Sequence, residues 1–502
     1  MNNEKISFQK AIFVIGISLF LGFCFDFFFY EKALGISFVL YTALLVLGLF
    51  ALFTFLGKKI RTQIFLFLIP LFFFSGMVFV RANDLLTFLN VVVSLFLLLL
   101  MTETMVGRRV ERFFPIDYFS LPFLPFQFLR PFLETIAHFF SFGRKKISQD
   151  KEITRQVLKG VFLSAPILLL FLLLFSSADV VFHQYLNAVF SFHLAPDFFE
   201  RFFLITFVSC FCIGGYSYVL EVNKNHDSSR HAQQNQTLGQ IENTIVLSSV
   251  NILFFLFLLV QFTYFFGGEK NISLEGFTYA EYARQGFFEL IIVAVLSFFL
   301  LLSFEKYAIR KHNIHHSSFQ VLSTILILQV IVIMLSAFLR LSLYESVYGF
   351  TTLRLYSHAF IIFLGVVFCL LLHKIHKDTE ETRFVFSLFL TSIAFVASMN
   401  VVNPDAFIAR HNVERFLKTG DVDISYLNSL SDDATPETIK IFDALSEEEK
   451  QTFALLFSER LKIHRDSALS WSTWQSFHLA RMKSEEILLE KEKELELYFR
   501  EI

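Results

Sequence analysis

The sequence predicts an all-α polytopic membrane protein: about eleven transmembrane helices, N-terminus in and C-terminus out, followed by a small extracytoplasmic helical domain. Three observations predict it. The 502 residues are 55% hydrophobic and only 18% charged, with a mean hydropathy of +0.58, whereas a soluble globular chain carries about 25% charged residues. Apolar runs long enough to cross a bilayer recur through the first 400 residues. Lys and Arg gather in alternate loops between those runs.

A helix needs about 20 apolar residues to cross the hydrocarbon core. Runs of that kind fall at 11–29, 33–57, 62–80, 85–106, 157–177, 202–220, 243–266, 287–304, 319–339, 355–373 and 384–400. The first is too long for a signal peptide and has no small-residue cleavage site, so it reads as an uncleaved span. One alternating set of loops, beginning with the N-terminus, carries 22 Lys and Arg, and the other carries 6. Positive charge stays in the cytoplasm, so the N-terminus is expected inside, and eleven crossings put the C-terminus outside.

The expected layout is four spans in 1–106, a cytoplasmic interfacial loop in 107–156, seven spans in 157–400 and an extracytoplasmic helical domain in 401–502. The loop holds four of the nine prolines, Pro115, Pro122, Pro125 and Pro131. It therefore cannot be one helix, and its aromatic middle between basic ends suits a membrane interface. After the last span comes "NPDAFIARHN" (403–412). Asn403 suits an N-cap, Pro404 a first helical position and Asp405 a first turn. This helix should end near Lys418 at Gly420. "SEEE" (446–449) is a capping-box pattern opening a helix to about Arg465. A further helix is expected from Trp471 to Arg500, with Ala480, Ile487, Leu488 and Leu495 as its apolar stripe.

Charges near a span are costly and face protein or water. They gather toward the outer side: Glu281, Arg284 and Glu289 around the eighth span, Arg340 closing the ninth, Arg354, Tyr356 and His358 entering the tenth, and Asn403, Asp405 and Arg410 after the eleventh. Two readings remain open for this cluster. Its arginines suit an anionic group such as a lipid phosphate. Equally, arginine and tyrosine at span ends anchor to the interface, and the acids pair with them. Asn90, Asn251, Gln261 and Gln329 lie within spans, where interhelical hydrogen bonds would satisfy them.

No catalytic residue, metal site or cofactor is assigned. The four cysteines, Cys24, Cys210, Cys212 and Cys369, all lie in apolar segments and read as free thiols rather than ligands. His312, His315, His316, His373 and His376 read as solvated loop residues. No P-loop, dinucleotide fingerprint, HExxH or GxSxG occurs. A net charge of −2 gives no field for nucleic acid.

Several ordered strings resemble a bacterial multi-pass membrane family of unknown function, domain of unknown function 4173 with its 4153-type relatives. They are "VQFTYFFGG" (260–268), "TYAEYARQGFFEL" (278–290), "YGFTTLRLY" (348–356), "NPDAFIARHN" (403–412) and "YLNSLSDDATP" (426–436), with weaker likeness at "NDLLTFLN" (83–90) and "SSADVVF" (176–182). The resemblance implies a membrane location and supplies no activity. The expected setting is the bacterial cytoplasmic membrane. The expected partners are the lipid bilayer and an anionic lipid or envelope protein. Transport or handling of an anionic envelope lipid or precursor stands beside a sensor, scaffold or regulatory role through the outer domain. An enzyme acting on a lipid-linked substrate is a third reading.

Overall fold

The computed structural model describes residues 2–57, 60, 62–141, 197–221, 239–266, 287–307, 313–377, 379–466 and 473–499, with isolated positions between 160 and 182. Among the described residues the elements are helical throughout, without strands. Ten helices among the described residues are long and apolar enough to cross a membrane. They are α1 (Asn2–Phe29), α2 (Ile36–Phe55), α3 (Gln63–Val80), α4 (Asp84–Val106), α8 (Phe198–Glu221), α9 (Gln240–Phe266), α10 (Phe287–Tyr307), α11 (Asn313–Tyr348), α12 (Thr352–Lys377) and α13 (Glu381–Val402). Three shorter helices follow α4: α5 (Pro115–Ser120), α6 (Leu124–Gln127) and α7 (Leu129–Ser141). The protein is an all-α polytopic membrane protein.

The expected run 157–177 lies outside the described residues apart from isolated positions. At the end of α7, Phe139 stacks on Phe8, near the start of α1. At the start of α8, Arg201 pairs with Asp26, near the end of α1. The chain therefore leaves α7 at one face of the helix body and enters α8 at the other.

Side chains pack into two membrane cores. The first joins α1–α4, α8 and the segment 110–136 around Leu52, Leu71, Phe74, Leu100 and Phe113. The second joins α9–α12 around Ala294, Leu326, Val330 and Phe368. Helix α13 stands between them, with Phe386, Phe389, Ile393 and Val396 against the first core and Phe384, Val385 and Leu388 against the second. Apolar side chains elsewhere on these helices face outward, as lipid contact requires.

A third core lies beyond α13, in α14 (Pro404–Thr419), α15 (Ile424–Ser429), α16 (Thr435–Thr438), α17 (Glu447–Asp466) and α18 (Leu479–Phe499). Gly420, at φ +74°, ends α14 as expected. Ser446 and Glu449 close the expected capping box. Of the expected stripe, Ala480, Leu488 and Leu495 are buried and Ile487 is half-buried. Helix α18 begins later than its sequence suggests. A single turn at 474–476 precedes it, and the His478 ring nitrogen Nδ1 accepts from Arg481 N at the helix start.

Asn403 departs from its expected role. Its backbone is left-handed, at φ 55° and ψ 78°, and its side chain makes no cap. Asparagine tolerates this conformation at a helix end. The residue closes α13 and redirects the chain into α14, which frees its amide for another partner.

Candidate functional site: a polar hub where the three cores meet

The turn between α3 and α4 consists of Arg81, Ala82 and Asn83. Asn83 caps α4, its Oδ1 accepting from Leu86 N at 3.0 Å. The other polar groups of the turn point at the C-terminal helices. Asn83 Nδ2 donates to Asp405 at 3.0 Å, and Ser431 N donates to the same carboxylate oxygen at 3.1 Å. Ala82 N and Arg81 donate to Asp433 at 2.6 and 3.4 Å, and Asn403 Nδ2 joins them at 3.2 Å. Asp405 is 2% exposed and Asp433 7%. A buried carboxylate is tolerated only when hydrogen-bonded and paired, and here several donors meet that need.

The hub continues into the membrane. Asn90, seven residues after Asn83 on α4, exchanges two amide hydrogen bonds of 2.8 Å with Asn400 on α13. Arg81 Nε reaches Asn400 O at 2.8 Å. From α12, Tyr356 Oη donates to Asn83 Oδ1 at 3.4 Å.

Away from the membrane the adjacent Asp432 faces a different set. His464 stands 3.1 Å away, Ser484 donates at 3.2 Å, and Arg460 lies at 3.9 Å. Burial acts to raise the Asp432 carboxyl, and His464, Arg460 and Ser484 together outweigh it, so it titrates below its ordinary value. Burial also acts on Asp433. There it prevails over Ala82 N and Arg81, with nearby Asp405 adding to it, and the carboxyl is pushed up. His478 Nε2 lies 3.2 Å from Arg81 O. With Nδ1 accepting from Arg481 N, the ring is held as the neutral Nε2–H tautomer, and burial lowers its pKa.

The second core is gripped separately. Asn412 of α14 accepts from Phe350 N at 2.8 Å and donates to Phe350 O at 2.9 Å. Tyr426 Oη accepts from Thr352 N at 2.8 Å, and Arg415 donates to Val347 O at 3.1 Å. Gly349 makes this approach feasible. Its φ is +77°, and a Cβ there would stand 2.7 Å from Asn412 Oδ1.

The structure divides the residues that the sequence placed together. Tyr356, Asn403 and Asp405 belong to the hub. His358 lies between α11 and α12, 3.1 Å from both Glu345 and Ser342. Arg354 donates to Gly349 O and lies over the Tyr344 ring at 4.1 Å. Arg410 pairs with Glu437 at 3.3 Å on the surface. Glu289 is exposed in the first turn of α10, and Arg340 is half-buried in α11. Glu281 and Arg284 lie outside the described residues.

Arg81, Asn83, Glu345, Asp432, Asp433, Arg460, His464 and His478 were not singled out as site residues by the sequence reading. One signal was available for some of them. "NDLLTFLN" contributes Asn83 and Asn90, "NPDAFIARHN" contributes Asn403, Asp405 and Asn412, and "YLNSLSDDATP" contributes Tyr426, Asp432 and Asp433. Strings far apart in the chain thus supply one joint.

The span amides Asn251 and Gln329 hydrogen-bond between helices, Asn251 Nδ2 to Leu322 O at 3.1 Å and Gln329 Nε2 to Asn251 O at 3.2 Å. All four cysteines are free; Cys212 is buried, Cys24 and Cys210 are half-buried, and Cys369 is exposed on its helix. Among the described residues no group of three or more His, Cys, Asp or Glu side chains could hold a metal ion.

Ten apolar helices of spanning length among the described residues, with a helical unit seated on one face, define a multi-pass integral membrane protein. Within that class, the model of the family described as a domain of unknown function (DUF4153) matches residues 68–441, and the chain belongs to this family. The match takes in the turn 81–83, both halves of the Asn90–Asn400 pair, and Asp405 and Asp433. No curated protein and no solved structure matches the chain.

Proposed function

We propose that the protein acts as a mechanical coupler in the bacterial cytoplasmic membrane. Its N-terminus lies inside, and its C-terminal helices lie outside as a sensing or regulatory unit. One observation carries this reading. The C-terminal unit grips the first membrane core through Asp405 and Asp433 and the second through Asn412 and Tyr426. Force or ligand acting on that unit is passed to both cores at once.

Two of the arginines for which anion binding and anchoring are both open readings support this choice over anion recognition. Arg354 is engaged with Gly349 O and Tyr344, and Arg410 with Glu437. A transfer site would leave its cations for the ligand.

The test is the distance between spin labels at Leu85, in the first turn of α4, and Tyr348, at the end of α11. Both are exposed, so labels there leave the buried cores intact, and the label at Tyr348 gives up only that ring's contact with Tyr344. A narrow distribution in the full-length protein that broadens in Asp433→Ala supports coupling. An unchanged distribution removes it.

Handling of an anionic lipid is kept as a second reading on one observation. Helix α13 remains partly exposed along its length between the cores, which leaves a lateral path for an amphiphile. Mass spectrometry of co-purified lipids separates the two readings. A stoichiometric anionic lipid bound to the wild type and lost in Arg410→Ala would favour the second.

A further inference from the structure

The proline-punctuated segment after α4 lies deeper than a surface loop would. From Phe113 to Leu129 it carries one charge, Asp117, and Arg108 answers that charge at 2.5 Å. Arg108 also holds Glu103 at 3.0 Å and lies over the Phe113 ring at 4.5 Å, which fixes the entry to the segment.

Two neighbours measure its depth. A Cβ on Gly214 would lie 2.8 Å from Phe128 O, so the backbone at Phe128 sits level with Gly214. The apolar stretch of α8 ends at Leu220, six residues later. At 1.5 Å per residue, Phe128 is therefore about 9 Å inside that end. The Tyr118 ring lies 5.2 Å from Phe389, eight residues into α13 from Glu381 and so about 12 Å along it. Half of the hydrocarbon core is about 15 Å. The segment then climbs out again. Thr135 meets Ser217 at 2.6 Å, and Phe139 meets Phe8, where the apolar stretch of α1 begins.

Its backbone suits that depth. Lipid cannot satisfy a free N–H, and every helix start leaves several. Pro115, Pro122 and Pro125 stand in the first positions of α5, the turn 121–123 and α6. Each proline removes one such donor where no partner would exist. Other donors are met locally, Phe114 N by Asp117 at 2.9 Å and Phe128 N by Pro125 O at 3.1 Å. The outer side of the segment is largely apolar up to Leu129, and the exposed Arg130 pairs with Glu134 at 2.8 Å where the chain turns back out. Phe119 is 75% exposed and Phe126 78%, and Ile116, Phe123, Leu129 and Leu133 are also exposed.

We infer that residues 113–135 form a re-entrant element sunk into the leaflet on the side of the N-terminus, with its exposed phenylalanines among the lipid acyl chains. Arg109 and Arg112, both exposed at its mouth, lie at the level of the phosphates. The element occupies one leaflet only, so α1, α8 and α13 meet acyl chains on the opposite half of the bilayer and protein on this half.

The test uses the full-length protein in vesicles with Trp471 and Trp474 replaced by Phe and one indole introduced by Phe126→Trp, or by Phe119→Trp in a second variant. Both sites face outward, so the new ring displaces no packing. Lipids brominated on the upper acyl carbons should remove most of the indole emission, while aqueous iodide leaves it unchanged. Quenching by iodide without quenching by the brominated lipids overturns the inference. Equal quenching by both places the rings at the surface and overturns it as well.

Discussion

Replacing Asp433 by Ala tests the hub most directly. It takes the acceptor from Ala82 N, Arg81 and Asn403 Nδ2 together. Removing one partner of a buried pair costs about 3–5 kcal/mol, because the other charge stays uncompensated. Arg81 keeps its bond to Asn400 O and its side chain is 18% exposed, so the lower end, about 3 kcal/mol, applies. At about 1.4 kcal/mol per tenfold change, local opening of the joint should become roughly a hundredfold more frequent. Hydrogen exchange read by mass spectrometry is the assay. The informative amide is Ser431 N, because it bonds Asp405 and not the replaced residue. Its exchange should rise by about that factor. Trp474, which packs on Phe27 and Phe28, should shift its emission if the unit also lifts from α1. Wild-type exchange at Ser431 would refute the argument that Asp433 holds the C-terminal unit to the first core.

Other expectations follow from the same geometry. Asn90→Leu and Asn400→Leu should each destabilise the detergent-solubilised protein, and the double variant should recover part of the loss. The coupling should be about 1 kcal/mol, and additive losses would show that the pair contributes nothing specific. His478 has a folded pKa below its usual 6.5, so its stabilising contribution is complete above that value and is lost as the pH falls below it. The docking of α18 at Arg81 should therefore weaken as the pH falls below about 6.5, as read by Trp474 emission, and His478→Gln should flatten the profile. Asp432 also has a lowered folded pKa. Its contribution is present above the usual 3.8 and disappears only in stronger acid, so a second, separate loss should follow there and be absent in Asp432→Asn. Gly349→Val, with a left-handed backbone and Asn412 in the way, should cost more than about 1 kcal/mol and release α14 from Phe350. Accelerated exchange at Phe350 N would report that release.

The spans were legible because bilayer thickness imposes a length and an apolar composition on each helix independently of its neighbours. Helix ends such as Gly420 and Ser446 were legible because capping is local chemistry. The hub was legible only in part: Tyr356, Asn403 and Asp405 stood among the outer-face candidates, whereas Arg81, Asn83 and Asp433 did not. Asn83 meets Asp405 across 322 positions and Ala82 meets Asp433 across 351, and nothing in one segment encodes which distant segment answers it. Arginine made the reverse difficulty. Arg354 reads equally as an anion receptor or an interface anchor from its position at a span end, and its partner is the carbonyl of Gly349, five residues away. A backbone acceptor leaves no mark in the sequence. Asn403 shows the same limit, since its composition suits a side-chain cap and its left-handed backbone sends the amide to Asp433 instead.

The Asn90–Asn400 pair also sets an order of events at birth. Asn90 enters the bilayer with the fourth helix, and its partner is 310 residues downstream. At roughly 5–20 residues per second, synthesis brings the partner about 15–60 s later. For that interval the amide must find a temporary partner among neighbouring helices, the insertion machinery or stray water. The turn 81–83 waits still longer, until Asp433 has been made. A chain truncated before α13 would carry these polar groups without their partners Asn400, Asp405 and Asp433.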